Sequence, residues 1–219
     1  MSRKPDIAWE SCIVVDKTIQ YDAAPDAGLF DYDDWCIQKS GIPELSQKSR
    51  VDVFVQKGGS GNAVWIVEVK DLRILDSCPE ARPGKKVIED LDKTLGQKLS
   101  DTLEFVRNHA ESPLNLQEVF RTVPMLSYVA HIELPQTWQP YLPDDYPQTQ
   151  FQNFLCLPVA KEMNKAMLYD AAAINKDTSL PWNAMLLPVN VAFSHASGAK
   201  ITTGEQRKRR SKDKKQKGE

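Results

Sequence analysis

Three residues in the stretch "RVDVFVQKGGSGNAVWIVEVKD" (50–71), Asp52, Glu68 and Lys70, are of the kinds that hold a divalent cation and manage charge around a reacting group. They sit inside two runs rich in Val, Ile, Phe and Trp, 50–56 and 64–71, separated by the seven residues "KGGSGNA". That composition predicts a β-hairpin. Alternation along the second run puts Val64, Ile66, Glu68 and Lys70 on one face and Trp65, Val67 and Val69 on the other. On the first run Asp52 shares a face with Phe54. A loop bounded by a Gln56–Val64 pair then sets Asp52 across from Glu68 on the same face.

Two opposed carboxylates destabilise a sheet unless something positive lies between them. Lys70 is close, but a divalent cation accounts for the arrangement more fully. Mg²⁺ takes oxygen ligands, commonly one or two carboxylates with waters and a substrate phosphate. Such a cation activates a water and shields phosphodiester charge, while Lys70 orients that water or stabilises the transition state. The alternative is a solvated strand face, where alternating charge is harmless. Against it, Val64, Ile66 and Phe54 make the same face apolar at one end. The glycine-rich loop lacks the Gly-Lys-Ser/Thr ending of a phosphate loop and reads as a connector.

The stretch resembles the PD-(D/E)xK nuclease superfamily, which includes many restriction endonucleases. Asp52 matches the first acid, Glu68-Val69-Lys70 matches the Glu-x-Lys signature, and Val51 stands where the family's name has Pro. The resemblance implies a restriction-endonuclease-like α/β core, a mixed central β-sheet flanked by helices. It implies an Mg²⁺-dependent deoxyribonuclease, with Mn²⁺ as an alternative ion and a place in a restriction or defence system. Asp52, Glu68 and the backbone carbonyl of Val69 would bind the metal, and Lys70 would assist the nucleophilic water. An upstream acid is implied as well. Glu10 and Glu44 are the candidates, with Glu10 preferred because Glu44 follows "GIP" in an apparent loop. A following helix is implied to face the site, with Gln97 and Lys98 as accessory candidates.

The elements that must position these residues are read from periodicity. In 85–110, Ile88, Leu91, Leu95, Leu99, Leu103 and Val106 recur at helical spacing and form one apolar stripe. "MLSYVAHIEL" (125–134) reads as a strand, and "FLCL" (154–157) as a short one. "AKEMNKAMLYDAAAI" (160–174) reads as a helix with Met163, Met167, Ala171 and Ile174 on one face. "NAMLLPVNVAF" (183–193) reads as a strand that Pro188 confines to an edge or bulge. Near the start, "AWESCIVVDKTI" (8–19) is helix or strand, and "DAAPDAGLFDYDD" (22–34) has the punctuation of a loop.

The chain has 219 residues, 41% hydrophobic and 26% charged, which suits one globular domain. It has no apolar run long enough for a membrane span and no signal-peptide pattern, so a cytoplasmic address and no membrane partner are expected. Cys12, Cys36, Cys78 and Cys156 are scattered, which suggests neither a disulfide framework nor a zinc knuckle. His109, His131 and His195 read as isolated structural or surface residues.

A single domain is expected over 1–200, followed by a disordered basic tail over 201–219. Residues 205–219 carry eight Lys or Arg against three acids, a local +5, which leaves −7 for the rest of a chain of net charge −2. Arg207, Lys208, Arg209 and Arg210 in that tail could bind phosphate backbones; a purely solubilising tail is the alternative. The acidic body suggests that the tail, a partner protein or a homo-oligomer supplies DNA binding. The rival functional class is a non-catalytic nucleic-acid-binding or assembly subunit that retains the nuclease fold.

Overall fold

The computed structural model describes residues 8–39, 50–58, 63–77, 85–108, 114–122, 125–141 and 163–189. Backbone contacts divide the chain into Met1–Pro188 and Val189–Glu219, and every element named below belongs to the first unit.

A five-stranded sheet has the order β3 (Ala27–Asp31), β4 (Val53–Lys57), β5 (Ala63–Asp71), β6 (Met125–Glu133), β7 (Lys165–Tyr169). The β3–β4 and β4–β5 pairs are antiparallel, whereas β5–β6 and β6–β7 are parallel. The class is thus α/β with a mixed central sheet, as the sequence predicts. The parallel half is made possible by helices α2 (Lys85–Asn108) and α3 (Leu114–Thr122), which carry the chain from the end of β5 back to the start of β6. A second, antiparallel sheet joins β1 (Cys12–Val15), β2 (Ile19–Ala23) and β8 (Trp182–Leu186).

Strand β5 runs through the middle and is buried on both faces, which explains its nearly unbroken apolar sequence. On one face, Phe54, Ile66 and Tyr128 pack with Leu95 and Leu99 of α2. On the other, Val53, Val67 and Val69 pack with Ile13, Tyr21 and Ala184 of the small sheet. The stripe read from the sequence is the buried side of α2: Leu95, Leu99, Leu103 and Val106 are all at or near zero exposure.

The hairpin register is the expected one, with Gln56 opposite Val64 and Val53 opposite Val67. Asp52 precedes the ladder. Its N–H donates to Val67 O at 3.2 Å, and its carbonyl accepts from the N–H groups of Tyr32 and Asp33 at 2.9 and 3.2 Å, the start of the short helix α1 (Tyr32–Asp34).

Three sequence expectations, over 160–174, 22–34 and 183–193, differ from the structure, and the ambiguous segment 8–19 takes the strand form of its two readings. The helix expected over 160–174 is, in its described residues, strand β7 followed by helix α4 (Ala171–Lys176). The parallel edge of β6 takes up Lys165–Tyr169, and Asp170 starts the helix by accepting the Ala173 N–H at 2.7 Å. The apparent loop 22–34 holds β3 and α1; its Gly28 lets the chain pass Trp9, because a Cβ on any other residue at 28 would meet the Trp9 Cβ at 2.7 Å. The ambiguous 8–19 segment is β1 and the turn into β2, where Asp16 and Lys17 take positive φ of 49° and 63°. Strand β8 ends at Leu186, before Pro188, and lies in the second sheet.

Among the described residues neither Cys12 nor Cys36 is in a disulfide, and no helix is long and apolar enough to cross a membrane. Glu44, Cys78, His109, "FLCL", Cys156, His195 and the tail with Arg207, Lys208, Arg209 and Arg210 lie outside the described residues.

Candidate functional site

Glu68 is wholly buried, which removes the solvated-face reading of its charge. Its Oε1 lies 2.6 Å from the ammonium of Lys70 and 2.6 Å from that of Lys98. Both are close contacts of charge on charge. Glu68 Oε2 has no hydrogen-bond partner among the described residues. A buried carboxylate in this state requires compensation, and the two lysines supply it as charge.

Asp52, 6% exposed, stands beside it. One carboxylate oxygen accepts the Val69 N–H at 2.6 Å, and the other lies 3.8 Å from Lys98 Nζ. The side chain therefore does for Val69 what a ladder carbonyl would do in a regular hairpin. Asp52 and Glu68 both approach the Lys98 ammonium, Asp52 from just outside the strand. Lys70 also donates to the Val69 carbonyl at 3.1 Å, which brings that oxygen into the cluster.

Helix α2 positions Lys98. Its buried leucines fix the rotation of the helix, so that Lys98 and Thr102, one turn apart, share the flank over the ends of β4 and β5. Thr102 Oγ1 accepts the Val51 N–H at 3.0 Å, fastening helix to strand one residue from Asp52. The Arg50 guanidinium pairs with Asp33 at 2.5 Å on the other side of the same segment.

The protonation of the cluster follows from this geometry. Burial, and next the charge of Glu68, raise the Asp52 carboxyl to about 7, against the pull of Lys98, Lys70 and the Val69 N–H. For Lys70, burial alone would lower the ammonium's pKa, but the charges of Glu68 and then Asp52 outweigh it and hold the pKa above its ordinary value. Lys70 is thus a fixed positive charge in this arrangement. The phenols of Tyr21 and Tyr128, both fully buried, are pushed well up, by burial first and by the neighbouring carboxylates next.

Of the residues singled out from the sequence, Asp52, Glu68, Lys70, the Val69 carbonyl and Lys98 come together. Gln97 does not: it is exposed and donates to Asp101 Oδ1 at 2.5 Å along α2. Glu10 is exposed on an extended segment whose backbone bridges to Leu29 of the edge strand β3.

Two groups were missed from the sequence. Asp16, in the left-handed turn between β1 and β2, is raised by burial and next by the charge of Asp52, and it also feels Lys70 and Lys98, which puts a third carboxylate at this end of the sheet. Strand–turn–strand reading of "IVVDKTIQ" would have exposed it. His131 is not isolated: its Nδ1 meets the Tyr21 hydroxyl, and its Nε2 lies 2.7 Å from Glu133 Oε1, which also accepts the Ala171 N–H at 2.6 Å. This relay joins β2, β6 and α4 on the opposite face of the sheet, in register with Val69. The alternation of His131 and Glu133 in "HIE" was its only signal.

Among the described residues no group of three Asp, Glu, His or Cys is placed to hold a metal by side chains alone. The donor set here is two carboxylates and a backbone carbonyl. That set fits Mg²⁺ or Mn²⁺, which keep several waters, better than an ion needing a full protein cage. The unpartnered, buried Glu68 Oε2 is the atom that such an ion would satisfy. Compared with known proteins, the chain matches no family model, no curated protein and no solved structure, so the reading of this site stands on its residues and geometry.

Proposed function

We propose that the chain is a metal-dependent nuclease that hydrolyses DNA phosphodiester bonds, with a restriction-endonuclease-like core and its site where β4 begins and β5 nears its end. The observation that carries this reading is Glu68. It is a fully buried carboxylate with one oxygen that has no partner among the described residues, beside Asp52 and two ammonium groups, on a strand reading Glu-x-Lys. A site of this kind is costly to maintain, and a merely structural strand would do as well with valine.

Asp52, Glu68 and the Val69 carbonyl would hold Mg²⁺ or Mn²⁺, which supplies Lewis-acid activation of water and shields phosphate charge. Lys70, held charged, does not abstract a proton. It stabilises the negative charge that grows on the scissile phosphate, and it orients the attacking water through its remaining N–H donors. Asp52 holds the Val69 amide and so fixes the carbonyl on the same residue.

The test is a plasmid-nicking assay in Mg²⁺ and in EDTA, with wild type and Lys70→Ala. Cleavage in Mg²⁺ alone, lowered about a hundredfold or more by Lys70→Ala, is expected. Metal-dependent cleavage that survives the substitution would refute the role of Lys70. No cleavage of any DNA or RNA would favour the non-catalytic binding subunit.

A further inference from the structure

Lys98 differs from Lys70 in a way that bears on how a metal would enter. Lys70 belongs to the same strand as Glu68 and is also tied to the Val69 carbonyl. Lys98 comes from α2 and reaches both carboxylates, 2.6 Å to Glu68 Oε1 and 3.8 Å to Asp52 Oδ1. Among the described residues it alone is ion-paired with both carboxylates from another element. We infer that Lys98 is the resident counter-ion of the metal-free site, holding the place between Asp52 and Glu68 that a divalent cation takes, and that metal loads by exchange with its ammonium. The inference rests on the metal reading given above.

Charge and packing both favour exchange over simple addition. Even with both carboxylates ionised, they and the two ammoniums only cancel, so a divalent ion added beside both lysines would meet at best a neutral cluster and two repelling cations. Once Lys98 withdraws, two carboxylates face the ion with one lysine left, and the loaded site carries a net positive charge suited to a phosphodiester. The withdrawal requires only side-chain rotation. Leu95, Leu99 and the Thr102–Val51 hydrogen bond hold α2 on the sheet without Lys98. The Lys98 side chain is already 17% exposed, so its head has a way to water. The released ammonium is then free to meet a substrate phosphate.

The experiment is calorimetric titration of the full-length, EDTA-treated protein with Mn²⁺, together with thermal melts with and without Mn²⁺. Lys98→Met keeps most of the apolar stem and removes the competing charge. It should bind Mn²⁺ about tenfold more tightly than wild type, melt lower without metal and gain more on adding it. Should Lys98→Met fold only when Mn²⁺ is present, that too supports the exchange. Lys98→Arg, whose planar fork holds carboxylates more firmly, should bind Mn²⁺ more weakly than wild type. Equal or weaker Mn²⁺ binding by a folded Lys98→Met, or undiminished binding by Lys98→Arg, overturns the exchange while leaving the metal site intact. No Mn²⁺ binding by wild type or either variant overturns the metal reading itself.

Discussion

Asp52 accepts the Val69 amide with one oxygen and faces Lys98 with the other, and burial together with Glu68 raises its carboxyl from 3.8 to about 7. A carboxyl whose pKa is higher in the folded chain than in the unfolded one favours folding when protonated. The stability it gives is complete below about pH 3.8 and is lost as pH rises through about 7. Asparagine can accept the same amide without carrying charge. Asp52→Asn should therefore be more stable than wild type at pH 8, by on the order of 2 kcal/mol, with the difference vanishing below about pH 4. Urea unfolding at both pH values measures this, and a variant no more stable than wild type at pH 8 contradicts it. The same variant should lose metal-dependent cleavage, so that stability and activity move in opposite directions, as expected of a site kept for function.

At the scale of elements, the hairpin and α2 were legible because each has one strong period: alternation over 64–70, and three- and four-residue spacing over 88–106. The Gln56–Val64 register followed from the loop, and with it the approach of Asp52 to Glu68. What alternation could not show is that Asp52 stands before the ladder, with its side chain replacing a strand partner, because that depends on α1 gripping its carbonyl. Lys98 could be placed on the right flank of α2 from the period alone. Asp16 and the His131 relay could not be found that way, since they depend on the small sheet. Its strands come from both ends of the unit, 12–23 and 182–186, and the first was ambiguous in sequence. The period failed outright at 163–174, where a five-residue strand and a six-residue helix together imitate helical spacing. Thr102 connects the legible parts. Thr102→Val keeps the volume but leaves the buried Val51 N–H without its acceptor. It should cost about 1–2 kcal/mol in urea unfolding. A wild-type midpoint would show that the helix is held there by packing alone.

Over the whole chain, the charge is divided so that residues 205–219 carry +5 and the remainder −7. An acidic body repels a polyanion, and the candidate site in its metal-free state offers no compensating surplus, because its lysines are engaged with Asp52 and Glu68. The proposed nuclease thus needs long-range attraction from elsewhere, and the segment with Arg207, Lys208, Arg209 and Arg210 is the densest source in the sequence. Each phosphate neutralised by a lysine or arginine releases counter-ions, so the logarithm of affinity falls with the logarithm of salt by nearly one unit per contact. Deleting 205–219 should flatten that slope by several units and weaken DNA binding at low salt. Metal binding and the melting temperature of the rest should remain unchanged, because neither depends on the tail's charges in this account. Fluorescence anisotropy of a labelled duplex across a salt series reads the slope directly. An unchanged slope would mean that the tail only solubilises the chain, and the attraction for DNA would then have to come from a partner protein or a second copy.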